Sequence, residues 1–363
     1  MVVKGKLGLR DYGSLLNAFA KILFVVPPAT VFRRLAFRKT TPKSLKAHVG
    51  FSVGRTLIRN ASIPIMQALS GSSEDVFEKW KIKNPSNKVE TVTLQNGKTK
   101  AFWIGDKHAD TTMLYFHGGG YAASASPGHY DLVAEAESRA AKNNASFSTL
   151  FLQYDLIPSA CYPAQLQQAV QALDYLTNTM QRPLGKIILA GDSAGANLAL
   201  ALLSHISKPH PEVDRITPTG NFKKVVLLSP WVTFDGTAAA FKENAWKDVL
   251  DSRALHQWSQ AFLGGAKPDS YNTPLLAPPD WWSGIRADKI CIAAGQDEVF
   301  VNDILEFSKK LNTQASDVET IICPDEPHDS ILLSYIGMPY EKMKDKFFSW
   351  ILDNANQKST PTS

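Results

Sequence analysis

The chain has 363 residues, 44% of them apolar and 20% charged, enough to fill one large α/β domain with a cap or two smaller domains. Three scattered cysteines, Cys161, Cys291 and Cys323, exclude a disulfide framework, and no CxxC, HExxH, Walker or dinucleotide fingerprint is present, so neither a metal nor a cofactor is called for. The net charge of +5 hides an asymmetry: residues 1–60 carry twelve Lys or Arg against the single acid Asp11, which leaves 27 basic and 33 acidic residues elsewhere; no nucleic-acid partner is read from it.

The basic N-terminal region also contains the apolar stretch Ser14 to Val26, then Pro27-Pro28 and a second apolar patch ending in Arg33-Arg34. It is too short and interrupted for a spanning helix, which needs about 20 apolar residues. Three readings stay open: an amphipathic helix lying on an anionic lipid surface, an uncleaved signal anchor, or a cap helix whose apolar face packs on the rest of the chain. From about residue 85 strand-like and helix-like runs alternate. The candidate strands are Val89–Leu94, Thr99–Ile104, Met113–Phe116, Phe147–Tyr154, Ile187–Ala190, Val225–Leu228, Ile290–Ala294 and Thr320–Cys323. The first two alternate with polar residues around Asn96-Gly97 and read as an antiparallel hairpin; the later ones are short continuous apolar runs, as expected of strands buried on both faces. Helical stretches at 130–142, 164–180 and 196–206 separate them. This alternation specifies an eight-stranded, mostly parallel sheet flanked by helices. The expected division is an N-terminal cap segment at 1–85, the α/β domain at 86–350 with a cap insertion at about 235–283, and a flexible tail at 351–363.

Two motifs supply complementary halves of one reaction. Gly191-Asp-Ser-Ala-Gly195 follows one apolar strand run and opens a helical one, so Ser193 occupies a strand-to-helix elbow whose flanking glycines leave room for the turn. His117-Gly-Gly-Gly120 follows another strand run. Backbone N–H groups of Gly118, Gly119 and Ala194 are expected to hold the oxyanion formed when Ser193 attacks a carbonyl, each such donor contributing about 3–4 kcal/mol. The serine needs a base and a carboxylate, in the chain order Ser, acid, His. Asp297, in the loop after the seventh strand, is the expected acid, with Glu298 and Asp303 as alternatives. His328, in the loop after the eighth strand, is the expected base, there being no other histidine downstream of Asp297. His129, His205, His210 and His256 read as surface or packing residues. Tyr121 and Trp231 are expected to line a substrate pocket. The implied chemistry is cofactor-free ester hydrolysis through an acyl-enzyme on a small apolar ester.

Through His117-Gly-Gly-Gly-Tyr121, Gly191-Asp-Ser-Ala-Gly195, Ser229-Pro-Trp231, Asp297 and His328, the chain resembles the hormone-sensitive-lipase-like branch of the α/β-hydrolase superfamily. Within that branch it is similar to fungal esterases and deacetylases, including steryl acetyl hydrolase-like proteins and hydrolases of secondary-metabolite clusters. The resemblance implies a helical cap over an α/β-hydrolase fold and, for the location, either the cytoplasm or the endoplasmic-reticulum membrane. It departs at Tyr154-Asp-Leu-Ile-Pro-Ser159, where many relatives have Tyr-Arg-Leu-Ala-Pro-Glu. An acyltransferase or lactonase would use the same triad, a small-molecule receptor on this fold would lack the histidine, and a membrane-tethered interaction module would need only the N-terminus.

Overall fold

The computed structural model describes residues 7–95, 97–315 and 317–352; Asn96 of the expected hairpin turn and all but the first two residues of the expected tail lie outside them. Five helices precede the sheet: α1 (Leu9–Phe24), α2 (Val26–Ala36), α3 (Leu45–Asn60), α4 (Ile63–Ser70) and α5 (Ser73–Lys83). Side-chain oxygens of Ser44, Ser62 and Ser72 cap the last three by accepting a backbone N–H from the first turn.

Eight strands follow: β1 (Val89–Thr93), β2 (Lys100–Gly105), β3 (Thr111–Phe116), β4 (Phe147–Gln153), β5 (Ile187–Asp192), β6 (Lys224–Leu228), β7 (Ile290–Gly295) and β8 (Val318–Cys323). They form one sheet in the order β1-β2-β4-β3-β5-β6-β7-β8. β2 runs antiparallel to both neighbours and every other pairing is parallel. Each apolar strand run in the sequence is a strand here, because a residue buried on both faces has no polar alternative to the ladder. The remaining helices are α6 (Pro127–Lys142), α7 (Ala164–Asp174), α8 (Ser193–Ser207), α9 (Ala240–Glu243), α10 (Ser252–Leu263), α11 (Val301–Asn312), α12 (Ser330–Ser334) and α13 (Lys342–Leu352).

Alternate side chains along the strands feed two cores. Leu114, Leu150, Leu189 and Leu227 pack with α7, α8 and α11, while Met113, Phe151, Ile188 and Val226 pack with α5, α6 and α13. α8 is buried along nearly its whole length, which fits its all-round apolar sequence. All parallel strands end on one side of the sheet, and the loops that leave those ends carry the groups considered next.

The insertion between β6 and β7 divides. Val249, Leu250 and the α10 residues Leu255 and Trp258 reach over the sheet edge toward Ser193. The Pro278–Trp282 run does not join this cover: Trp282 packs edge-on against Phe307 of α11, and the Trp281 indole N–H donates to Ser204 of α8 at 3.1 Å. The N-terminal helices supply the rest of the cover. α1 lies on α3, with Lys21 Nζ donating to Asn60 at 3.0 Å and the Ser62 hydroxyl donating to Asp11 at 2.6 Å. Its other face is apolar and exposed.

Candidate active site

Ser193 begins α8 directly after β5, at φ +50°. An L-residue held in this left-handed region costs on the order of 1–3 kcal/mol, and the tight packing of the turn sustains it. A Cβ on Gly191 would lie 2.6 Å from the Gly195 carbonyl carbon, and one on Gly195 would overlap the Phe116 carbonyl. The elbow therefore accepts only glycine at both places. It projects the Ser193 hydroxyl into a cavity of about 270 Å³ bounded by Gly119, Gly120, Asp192, Trp231, His328 and Asp329 on one side. Ile58, Met66, Val249, Leu250, Leu255, Trp258, Leu332 and Leu333 form the apolar remainder.

His328, 4% exposed in the loop after β8, has Nε2 2.9 Å from Ser193 Oγ. Behind it, Glu298 Oε2 lies 3.5 Å from Nδ1, with Glu298 fully buried. Asp297 does not reach the imidazole. Its carboxylate turns outward to an ion pair with Lys247 of the insertion at 2.8 Å, and its N–H donates to the Glu326 carbonyl. The two acids are adjacent on one turn, so their side chains leave on opposite sides; Glu298 faces inward and has the extra methylene needed to approach the ring. Asp303 is on the first turn of α11 with Oδ2 buried and, among the described residues, unpartnered, and burial lifts its carboxyl to about 7. Burial opposes a charge on His328 too, but Asp329 and Glu298 outweigh it and raise the imidazole above its ordinary value.

The glycine loop is held by a residue that the motif leaves unspecified. Asp192, at 0% exposure, accepts hydrogen bonds from the Tyr115 hydroxyl (2.7 Å) and the Gly118 N–H (2.9 Å), and lies 3.2 Å from His129 Nε2. Burial alone would raise its pKa; His129 and Tyr115 overcome this and lower it. One expectation changes as a result. The Gly118 N–H is spent on Asp192, while Gly119 and Gly120 line the cavity. Of the surface and packing readings open for His129, the structure gives packing: it is buried and its imidazole is raised by its pairing with Asp192 against the cost of burial. Ala194 is the second residue of α8, where an N–H has no partner within the helix.

Of the two expected pocket aromatics, Trp231 lines the cavity and a second one of about 280 Å³ beyond it, and its N–H donates to the Ser193 carbonyl at 3.1 Å. Tyr121 is placed elsewhere. It is fully buried, stacks on Phe262 at 3.9 Å and donates to Asn197 Oδ1 at 2.7 Å, so it braces α8 beneath the site.

Asp248 was missed from the sequence. Its buried carboxylate accepts the N–H groups of Val249 (2.6 Å), Val299 (2.8 Å) and His328 (3.2 Å), tying the insertion to the Glu298 and His328 loops. Nothing local in the run Lys242 to Leu250 marks one acid as the tie.

Residues 113–332 match the family described as alpha/beta hydrolase fold. An acetyl-hydrolase of Streptomyces hygroscopicus is 31% identical over 222 residues, covering 60% of this chain and 67% of the relative. Steryl acetyl hydrolase 1 of Saccharomyces cerevisiae is 30% identical over 264 residues, covering 69% of this chain and 58% of the relative. Among solved structures, an esterase of the bacterial hormone-sensitive lipase family superposes with a TM-score of 0.63 at 23% identity, covering 84% of this chain and 98% of that one. That likeness is one of fold.

Proposed function

Since this chain belongs to the alpha/beta hydrolase family and, with its acetyl-hydrolase and esterase relatives, is a carboxylic ester hydrolase, we propose that Ser193, His328 and Glu298 form its triad. The observation that carries this is the 2.9 Å approach of His328 Nε2 to a serine hydroxyl projected by a strained elbow. His328 takes the Ser193 proton as Oγ attacks the ester carbonyl. The Gly119, Gly120 and Ala194 N–H groups stabilise the oxyanion, and Glu298 holds the imidazole and stabilises its cation. Collapse sends the proton to the departing alcohol and leaves an acyl-serine, which water hydrolyses.

The largely apolar lining and the modest 270 Å³ volume support a short acyl group, acetyl first, on a lipid-like or secondary-metabolite alcohol. A fluorophosphonate probe labels the native chain and fails on Ser193→Ala; labelling that survives this change removes Ser193 from the reaction. Turnover of p-nitrophenyl esters of increasing acyl length should fall beyond the short acyl groups.

We also propose that the N-terminal helices rest on an anionic lipid surface. Leu9, Leu16, Leu23, Phe24, Phe32 and Leu35 are 65–92% exposed, and basic residues dominate the same segment. No single helix among the described residues is long and apolar enough to cross a membrane; α1 and α2, bent by 48°, pass that test only as a pair. A helix of this kind binds by apolar burial and by attraction to anionic headgroups. Sedimentation with phosphatidylserine vesicles, lost in the variant Leu16→Ser/Phe24→Ser/Leu35→Ser, tests this; equal sedimentation of both proteins overturns it.

A further inference from the structure

Besides Asp192, which holds the glycine loop, a second carboxylate at the cavity has no part in the triad. Asp329 follows His328 directly and curls back at φ +47°, so that Oδ2 lies 3.1 Å from the same Nε2 that meets Ser193. Its N–H donates to Ser229 Oγ at 3.3 Å, which fixes the turn. Oδ1 is buried without a hydrogen-bond partner among the described residues. The imidazole thus has a carboxylate at each nitrogen, Glu298 behind Nδ1 and Asp329 on the reacting side.

We propose that Asp329 holds the water that hydrolyses the acyl-enzyme and so selects water over alcohols as the acyl acceptor. This rests on the Ser193–His328 assignment and goes beyond it. Whatever attacks the acyl carbon must give a proton to Nε2, so its oxygen lies within hydrogen-bond reach of that nitrogen, and hence beside Asp329. Water has a second hydrogen and donates it to the carboxylate. An alcohol has given its only hydroxyl hydrogen to Nε2 and turns a carbon toward Asp329, leaving the buried Oδ1 without a donor, which is costly. The step balances: a water O–H bond breaks, its proton passes to Nε2, and the oxygen bonds to the acyl carbon. The intermediate then expels Ser193 Oγ, which takes the proton from His328 as the acid is released. In acylation the departing ester oxygen has no hydrogen to offer, so Asp329 acts on the second half-reaction.

The test is the partition of an acetyl-enzyme between water and methanol, read as methyl acetate against acetate during p-nitrophenyl acetate turnover by the full chain. Asparagine and glycine both tolerate the left-handed backbone, so Asp329→Asn and Asp329→Gly preserve the turn. The ratio should rise about tenfold in Asp329→Gly, with Asp329→Asn between it and the native value, as a charge-assisted acceptor is weakened and then removed. The p-nitrophenol burst, which reports acylation, persists in both. An unchanged ratio with the burst intact overturns the proposal. Absence of a burst in the native chain, with turnover insensitive to Ser193→Ala, overturns the acyl-enzyme reading itself. An arm without substitutions guards against misfolding. Asp329 is pushed up to about 6 by burial and by Asp192, against His328, with Glu298, His129 and Tyr115 the other ionisable groups acting in this network. The native ratio should therefore fall as pH rises from about 5 to about 8 and the carboxylate ionises; a flat ratio overturns the proposal.

Discussion

The reacting centre and its cover hold their residues by different means. Around Ser193 nearly every constraint is a buried polar bond with a backbone partner: Asp192 to Gly118, Trp231 to the Ser193 carbonyl, Asp248 to His328. Over it, Ile58, Met66, Leu250, Leu255 and Trp258 supply apolar surface, whose energy follows area and is indifferent to direction. Directional bonds fix the atoms that make and break bonds; apolar area sets what may lie against them. Substrate choice can drift through the cover while the reaction stays the same.

The largest effect expected from this contrast separates two adjacent acids. Glu298→Gln should lower kcat/KM about 10³- to 10⁴-fold, while Asp297→Asn, which breaks only the Lys247 ion pair, should stay within about threefold; the reverse ranking would return the role to Asp297. Next comes the tie from the insertion to the reacting loops. Asp248→Ala leaves three N–H groups without their acceptor, two of them buried, and should cost about 3 kcal/mol in thermal unfolding with about a tenfold loss of kcat/KM from loosened geometry. A normal melting temperature would show that the insertion holds nothing. The smallest effect belongs to the exposed face of α1 and α2. The triple serine variant that loses vesicle binding should hydrolyse a soluble short-chain ester within about twofold of the native rate, because surface changes away from buried features are small.

Strand positions and the elbow were legible because each rests on local pattern: continuous apolar runs for buried strands, and glycines where a turn has no space. Glu298 was not, since which of two neighbouring acids faces inward depends on the backbone angles of one turn and no periodicity encodes them. Gly118 was assigned to the oxyanion because all three glycines look alike in sequence. Only the fold shows that Asp192, 74 positions away, has claimed its N–H. Tyr121 misled for a related reason, its hydroxyl being answered by Asn197 of α8. His129 and Asp248 are buried polar groups satisfied by partners distant in sequence, and such pairs become visible only when the strands close.

The Arg55 guanidinium of α3 donates to the carbonyl of Asp248 and also lies over the Trp246 ring at 5.0 Å. One of the carbonyls that anchor the N-terminal helices is thus part of the residue that anchors His328. Trimming the chain to its sheet and motifs would do more than uncover the cavity: it would cut a guy-line, and the imidazole would be free to swing.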